Sequence, residues 1–532
     1  MTTIALAIAV AAVAVGLARR TGLPPAVMAI LAGVALSAAP VALDGDLVRQ
    51  GLLLAATFLI FAAGTETERE TVIHCRPTAI AITAANLIVT AAIALVLWSV
   101  LRLDPLTLTY LVLALASSST LLAVALFRKS ERFFDPVGRI VRATSFTQDA
   151  AVIALLTLLF VVLPDDAPTP RSLAVVAALA ALTWITKTWV APRVLLRSKL
   201  GEEERLLFVL GLIFSFVGAC WWADLPFILG VFLAAFSLSA FPVGGTVRSY
   251  VASFSDFFTV LFFVLLGVLV TVPNPTQFVA ESILVVGVFL VRPLVLWLIL
   301  RRRGMTRRSA LEMVAALANV GELSLVVVLI GLKMGHVGEA LLAVVAALAV
   351  VTMAAAPLVT SDKFIRKLLR FFPTPNRPPL SHGLSGHVVL IGCGETGQLV
   401  LDELQRRQIS VVVIDEDPGV VERLVRQEVP AIRGDGSDPR ILQHARAKAA
   451  RCIISTMSRA SDNLQLLSDW DARPVLVRVY SEAAGEAIRR LGGTPIAETR
   501  LAEAAFFEWY AQQANPSTET PTATDPGALP AR

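Results

Sequence analysis

Charge is scarce in this chain. Asp, Glu, Lys and Arg make up 16% of its 532 residues, whereas hydrophobic residues make up 56%. Together with a mean hydropathy of +0.72, that balance excludes an ordinary soluble globular protein. Cysteine is scarcer still. Cys75, Cys220, Cys393 and Cys452 stand far apart, with no CxxC pair and no histidine spacing suited to zinc, so no metal site is expected, and the cytoplasmic side on which the topology below puts Cys75, Cys393 and Cys452 makes those thiols read as free. The five histidines offer no pair for haem in the apolar segments, and no His or Tyr constellation for catalysis is evident. An enzyme, a membrane-bound oxidoreductase included, is therefore not expected. A carbonyl filter of the TVGYG kind is also missing, which weighs against a potassium channel. The net charge of +5 does not point to nucleic acid, because most of the excess Lys and Arg lies in short loops between apolar blocks. The first apolar block begins without a basic n-region or a cleavage site and reads as a retained helix.

What the chain does have is long apolar sequence, and it stops near Thr360. Blocks able to span a bilayer run at 2–18, 24–40, 49–64, 78–101, 107–127, 137–163, 172–196, 204–223, 225–241, 254–272, 277–301, 308–333 and 337–360, about 13 spans by the usual length criterion. One set of alternate loops holds most of the cations, among them Arg19, Arg20, Arg128, Lys129, Arg197, Arg301, Arg302 and Arg303. The positive-inside rule makes that set cytoplasmic, with the N-terminus outside. The reading is a polytopic α-helical membrane domain at 1–362, a linker at 363–385, a cytoplasmic α/β domain at 386–512 and a disordered tail at 513–532.

Two spans look interrupted. One holds Ser117-Ser118-Ser119-Thr120 at its middle and the other Asn319-Val320-Gly321-Glu322. Irregular backbone at that depth is tolerated only where it lines a cavity. The two run in opposite directions, as an inverted repeat with crossed discontinuous helices predicts for a secondary transporter; close helix packing is the bland alternative for the serines. Four ionisable residues lie deep: Asp149, Lys187, Arg292 and Glu322. Arg292 and Glu322 read as a structural pair, with Glu322 offsetting the positive end of a broken half-helix as the alternative, and Lys187 as a side chain that snorkels to the cytoplasmic end. Asp149 follows the neutral Gln148 and has no evident partner. Since a mid-membrane carboxylate costs about 2.5–3.5 kcal/mol, Asp149 is the candidate site at which a cation and a proton compete, assisted by Gln148, Ser118, Ser119 and Thr120.

In the polar third, the apolar run His387–Ile391 leads into Gly392-Cys393-Gly394-Glu395-Thr396-Gly397 and then a helical pattern. This is GxGxxG between strand and helix, where backbone N–H groups can cradle a pyrophosphate. The next strand ends at Asp415, about 18 residues beyond Gly397, where an acid accepts ribose hydroxyls and disfavours a 2′-phosphate. Further βα units pass Asp435 and end in a helix at 501–512. The expected ligand is NAD(H) or an adenine nucleotide, regulatory and not catalytic. Cys393 reads as a small turn residue, with a redox-sensing thiol as the alternative. A sensor that binds nucleotide without transporting is a further reading.

These motifs together resemble the monovalent cation:proton antiporter-2 family, in particular its Kef-type branch with a C-terminal TrkA-N (RCK) domain. Ser118-Ser119-Thr120, Gln148-Asp149, Arg292-Pro293, Gly321-Glu322-Leu323-Ser324, Gly434-Asp435-Gly436-Ser437-Asp438 and Asp462-Asn463-Leu464-Gln465 carry the resemblance. It implies a homodimer exchanging K⁺, or Na⁺ as in sodium-type relatives, for H⁺ under nucleotide control. An RCK-gated potassium channel is the rival outside the family. Arg478 matches an arginine of the Kef glutathione pocket, whereas Tyr480 replaces a second one. The region Phe254–Val272 lacks the lysine of electrogenic relatives, which implies electroneutral exchange.

Overall fold

The computed structural model describes residues 2–497 other than 22–23, 39–43, 66–68, 130–135, 163–169, 198–200, 240–242, 270–274, 371–384, 458, 469–473 and 481, together with Phe507. The chain divides into two compact units between Pro373 and Thr374. The tail and, Phe507 apart, the helix expected at 501–512 lie outside the described residues.

The first unit is all helix: α1 (Thr2–Thr21), α2 (Pro25–Ser37), α3 (Gly45–Thr65), α4 (Arg69–Leu101), α5 (Pro105–Ala116), α6 (Thr120–Lys129), α7 (Pro136–Val162), α8 (Pro170–Ile185), α9 (Glu202–Trp222), α10 (Phe227–Leu238), α11 (Val243–Leu269), α12 (Pro275–Val286), α13 (Arg292–Arg302), α14 (Arg307–Leu317), α15 (Glu322–Lys333), α16 (Glu339–Val359) and α17 (Asp362–Arg370). Every expected span coincides with one of these helices or with a broken pair. Among the described residues, eight helices are long and apolar enough to cross a membrane.

Helices in lipid gain little from the hydrophobic effect and associate through close packing. The crossing of α2 and α11 shows this. A Cβ built on Gly33 would lie 2.1 Å from the Val264 carbonyl oxygen, and one on Gly267 would lie 2.2 Å from that of Ile30. Two departures from the sequence reading concern boundaries. Helix α11 starts at Val243, before the apolar run at 254, because helical hydrogen bonds continue past the end of the hydrophobic stretch. The expected linker begins with α17, a short helix whose basic and apolar residues alternate beside a proline-rich run that masked the period.

Among the described residues, three π-helical turns occur, at Thr186–Val190, Arg193–Arg197 and Gly287–Val291. The first and third precede Pro192 and Pro293 closely. Proline has no N–H for the ordinary i→i−4 bond, and one extra residue in the turn accommodates the loss. The wide turn is closed by backbone bonds from Ala191 to Thr186 and from Arg292 to Gly287.

The second unit is a doubly wound domain. Strands β1 (Val388–Ile391), β2 (Val411–Asp415), β3 (Ala431–Arg433), β4 (Cys452–Ser455), β5 (Val475–Val479) and β6 (Thr494–Ala497) form a sheet in the order β3-β2-β1-β4-β5-β6. All pairs are parallel. The connecting helices are α18 (Glu395–Arg406), α19 (Pro418–Arg426), α20 (Pro439–His444), α21 (Ala460–Ser468) and α22 (Glu482–Arg490). Both sheet faces are buried, on clusters that include Val389 and Ile414 on one side and Leu390 and Val413 on the other. The strand order reverses between β1 and β4, so the crevice for a ligand opens at the carboxyl end of β1.

Candidate functional site

The first candidate site forms where the two interrupted spans meet. Helix α5 ends at Ala116 and α6 starts at Thr120; α14 ends at Leu317 and α15 starts at Glu322. The breaks touch: the Gly321 N–H donates to the Ser117 carbonyl at 3.3 Å, and the Ser119 N–H donates to Asn319 Oδ1 at 2.6 Å. Two helix N-termini and two C-termini converge here, each carrying about half a charge. The carbonyl ends are met by donors, Ala116 by Asn86 Nδ2 at 2.7 Å, Ala114 by the Ser324 hydroxyl and Asn319 by Arg292 Nη1 at 3.3 Å. At the amino ends, Ser119 Oγ accepts from the Leu122 N–H at 3.1 Å, and Thr352 Oγ1 accepts from the Val320 N–H at 3.1 Å.

Helix α7 lays Gln148 and Asp149 against this junction. Ser117 Oγ donates to Asp149 Oδ1 at 2.7 Å, and Thr120 Oγ1 donates to Oδ2 at 3.1 Å. Ser118 Oγ donates to Gln148 Oε1 at 2.6 Å. Ser119 turns the other way and donates to Glu322 Oε1 at 2.5 Å. Asp149 and Glu322 both line a small recess whose apolar walls include Ile60, Phe146, Phe232 and Leu323. Of the expected residues, Gln148, Asp149, Ser118 and Thr120 come together, while Ser119 serves the Glu322 side. Ser117 is the direct carboxylate partner that sequence reasoning left out of the site; its place in the Ser-Ser-Ser-Thr run was the signal.

The expected pair between Arg292 and Glu322 does not form. Arg292 is fully buried, and its Nε and Nη2 have no hydrogen-bond partner among the described residues. The π-turn before it sends Nη1 to the Asn319 carbonyl instead, so it meets the negative end of α14, while Glu322 occupies the positive end of α15. Lys187 sits within the first π-turn and places Nζ 3.8 Å from the centre of the Phe236 ring. A further buried ion pair, Arg308 Nε to Glu312 Oε1 at 3.0 Å, lies on α14.

The second candidate site is the crevice at β1. Gly392 takes φ of +84°, which glycine alone adopts without strain. A Cβ on Gly397 would lie 2.2 Å from the Gly392 carbonyl oxygen, whereas one on Gly394 would meet nothing within 4 Å. The first and third glycines therefore build the turn, and the second leaves open space before the N-terminus of α18, where Glu395 and Thr396 begin the helix. Asp415 closes the turn from β2: Oδ2 accepts from the Cys393 N–H at 2.6 Å and Oδ1 from the Asp417 N–H at 2.8 Å. Each oxygen keeps a second lone pair for a ribose hydroxyl. Burial pushes the Asp415 carboxyl above its ordinary value. Burial, then the Asp415 charge, raises the Cys393 thiol to about 11, which disfavours the thiolate a redox sensor needs. Asp435 Oδ1 accepts from the Ser437 N–H and Oγ at 2.9 and 2.7 Å, shaping the neighbouring turn. Arg478, on β5, stacks 4.6 Å from the Tyr480 ring and is separated from β1 by β4.

Comparison with known proteins places both units. Residues 6–362 match the family described as sodium/hydrogen exchanger, transmembrane, and residues 388–497 match the TrkA-N domain. The chain belongs to the sodium/hydrogen exchanger family. The exchanger is 23% identical over 505 residues to YbaL of Escherichia coli K12, described by name alone as a cation/proton antiporter, with 88% of each chain covered. It is 27% identical over 376 residues to the glutathione-regulated potassium-efflux system protein KefC of Salmonella heidelberg, covering 66% of this chain and 58% of that one. Its fold matches the sodium proton antiporter MjNhaP1 of Methanocaldococcus jannaschii with a TM-score of 0.54 at 14% identity, over 69% of this chain and 97% of that one.

Proposed function

We propose that this exchanger trades a monovalent cation, K⁺ by preference, for a proton by alternating access around Asp149. The reading rests on one observation above the others: a carboxylate held by Ser117 and Thr120 hydroxyls at the junction of two broken helices, facing a recess. A bare carboxylate is costly in the membrane interior. The site crosses when neutralised, by a proton in one direction and by a dehydrated cation in the other. Hydroxyl oxygens of Ser117 and Thr120 stand beside the carboxylate to replace part of the cation's hydration shell. Ser118 holds Gln148, and Ser119, Glu322 and Arg292 brace the helix ends. One carboxylate gives one cation per proton.

The preference for K⁺ is supported by the Gln148-Asp149 pairing and by the relation to KefC. Na⁺ is the second reading, supported by the family's description and the fold of MjNhaP1. The TrkA-N domain would take NAD(H) or an adenine nucleotide in the crevice at Gly392, Gly394, Gly397 and Asp415, and shift the populations of the two access states. The chain would act as a homodimer with its N-terminus outside and the TrkA-N domain in the cytoplasm. Cation-driven proton movement in everted vesicles tests the reading. Wild type should respond to K⁺ more strongly than to Na⁺, and Asp149→Asn should respond to neither; undiminished exchange in Asp149→Asn would remove that residue from the mechanism.

A further inference from the structure

We propose that α17 is a docking surface for the headgroups of anionic phospholipids. Helix α16 ends at Val359 and α17 follows at Asp362, so α17 lies within a turn of the membrane boundary. It packs against α14 and α16. Ile365, 1% exposed, is its inward anchor. Ser361 Oγ accepts from the Phe364 N–H at 3.3 Å and begins the helix.

Lys363 and Lys367 stand one turn apart on the exposed side. Neither makes an ion pair or hydrogen bond with a described residue. Phe364 is 43% exposed between them. Lysine heads with an outward aromatic at a membrane boundary is the pattern of a helix lying in the plane of the headgroups. The surroundings add charge of the same sign. Helix α13 ends in the exposed Arg302, and the chain turns through the exposed Arg303 and through Gly304, at φ of +85°, into α14, the helix that carries α17. Arg303 Nη1 is held by the Pro77 carbonyl at 3.2 Å, which fixes its place. The two exposed lysine heads are neutralised by taking up a phosphate diester, and the exposed Phe364 favours one attached to acyl chains over a soluble anion. The other class of occupant of suitable charge would be an acidic protein surface, but an outward phenyl ring between the lysines suits a lipid better.

Native mass spectrometry of the full-length protein released from detergent, after incubation with equal phosphatidylglycerol and phosphatidylcholine, tests this. Wild type should retain phosphatidylglycerol preferentially, and Lys363→Gln/Lys367→Gln should lower its affinity by about fivefold per lysine. Lys363→Arg/Lys367→Arg should keep it, and added salt should weaken it. Equal retention of the two lipids, or an unchanged preference in the glutamine variant, would overturn the proposal. So would disulfide trapping of Lys363→Cys to the TrkA-N domain without any lipid preference.

Discussion

Gly321 is the point where the two broken helices are closest, and adding one methyl group there has a calculable effect. A Cβ at Gly321 would lie 2.8 Å from the Ser118 carbonyl carbon, 3.0 Å from the Ser118 carbonyl oxygen and 3.0 Å from Ser117 Oγ. Ordinary contact begins near 3.4 Å, so the backbones must part by about 0.6 Å (3.4 minus 2.8), and backbone cannot rotate out of the way as a side chain can. Overpacking of this size costs about 1–3 kcal/mol. The displaced atoms are those that hold Asp149, because Ser117 Oγ reaches its carboxylate at 2.7 Å. A misplacement approaching 1 Å at reacting groups costs up to about 100-fold. Gly321→Ala should therefore lower exchange in everted vesicles by roughly ten- to 100-fold while the protein still inserts and folds. Gly218→Ala, where the added carbon meets nothing within 4 Å, is the matched control and should be silent. Exchange by Gly321→Ala within twofold of wild type, with a normal melting temperature, would refute the claim that the junction positions the carboxylate.

Other expectations follow from the same geometry. Ser117→Ala removes a hydrogen bond to a charged group worth about 1.5–3 kcal/mol, so exchange at limiting cation should fall by roughly ten- to 150-fold; Ser119→Ala should act instead on stability, through Glu322, and a melting curve separates the two. Arg308→Met takes the guanidinium from the buried Glu312 and should destabilise the protein by about 3–5 kcal/mol, whereas Arg308→Met/Glu312→Leu should recover much of the loss, read as shifts in thermal unfolding. In the TrkA-N domain, Gly394→Val should leave the melting temperature unchanged yet abolish nucleotide binding by calorimetry, because its side chain enters the open space. Gly397→Ala should lower stability itself, because its Cβ meets the Gly392 carbonyl oxygen at 2.2 Å.

Solvent determined what could be read from the sequence alone. Apolar runs must be helices in a bilayer, since no water is present to meet backbone N–H and C=O groups, so the spans follow from hydropathy. The glycine turn follows equally, because a tight passage from strand to helix needs a residue at positive φ at Gly392 and one without a Cβ at Gly397. Asp149 stood out because a charge at that depth is costly. Partner choice was decided only by the tertiary structure. Opposite charges at Arg292 and Glu322 suggested a pair, but helix ends compete for charged side chains, and the π-turn at Gly287–Val291 aims Arg292 at the carbonyl end of α14. Which serine meets Asp149 depends on how the extended residues of the first break are rotated. That rotation is set by contact with a second break some 200 residues away; the pattern predicted that the two breaks cross, but not which side chains meet there.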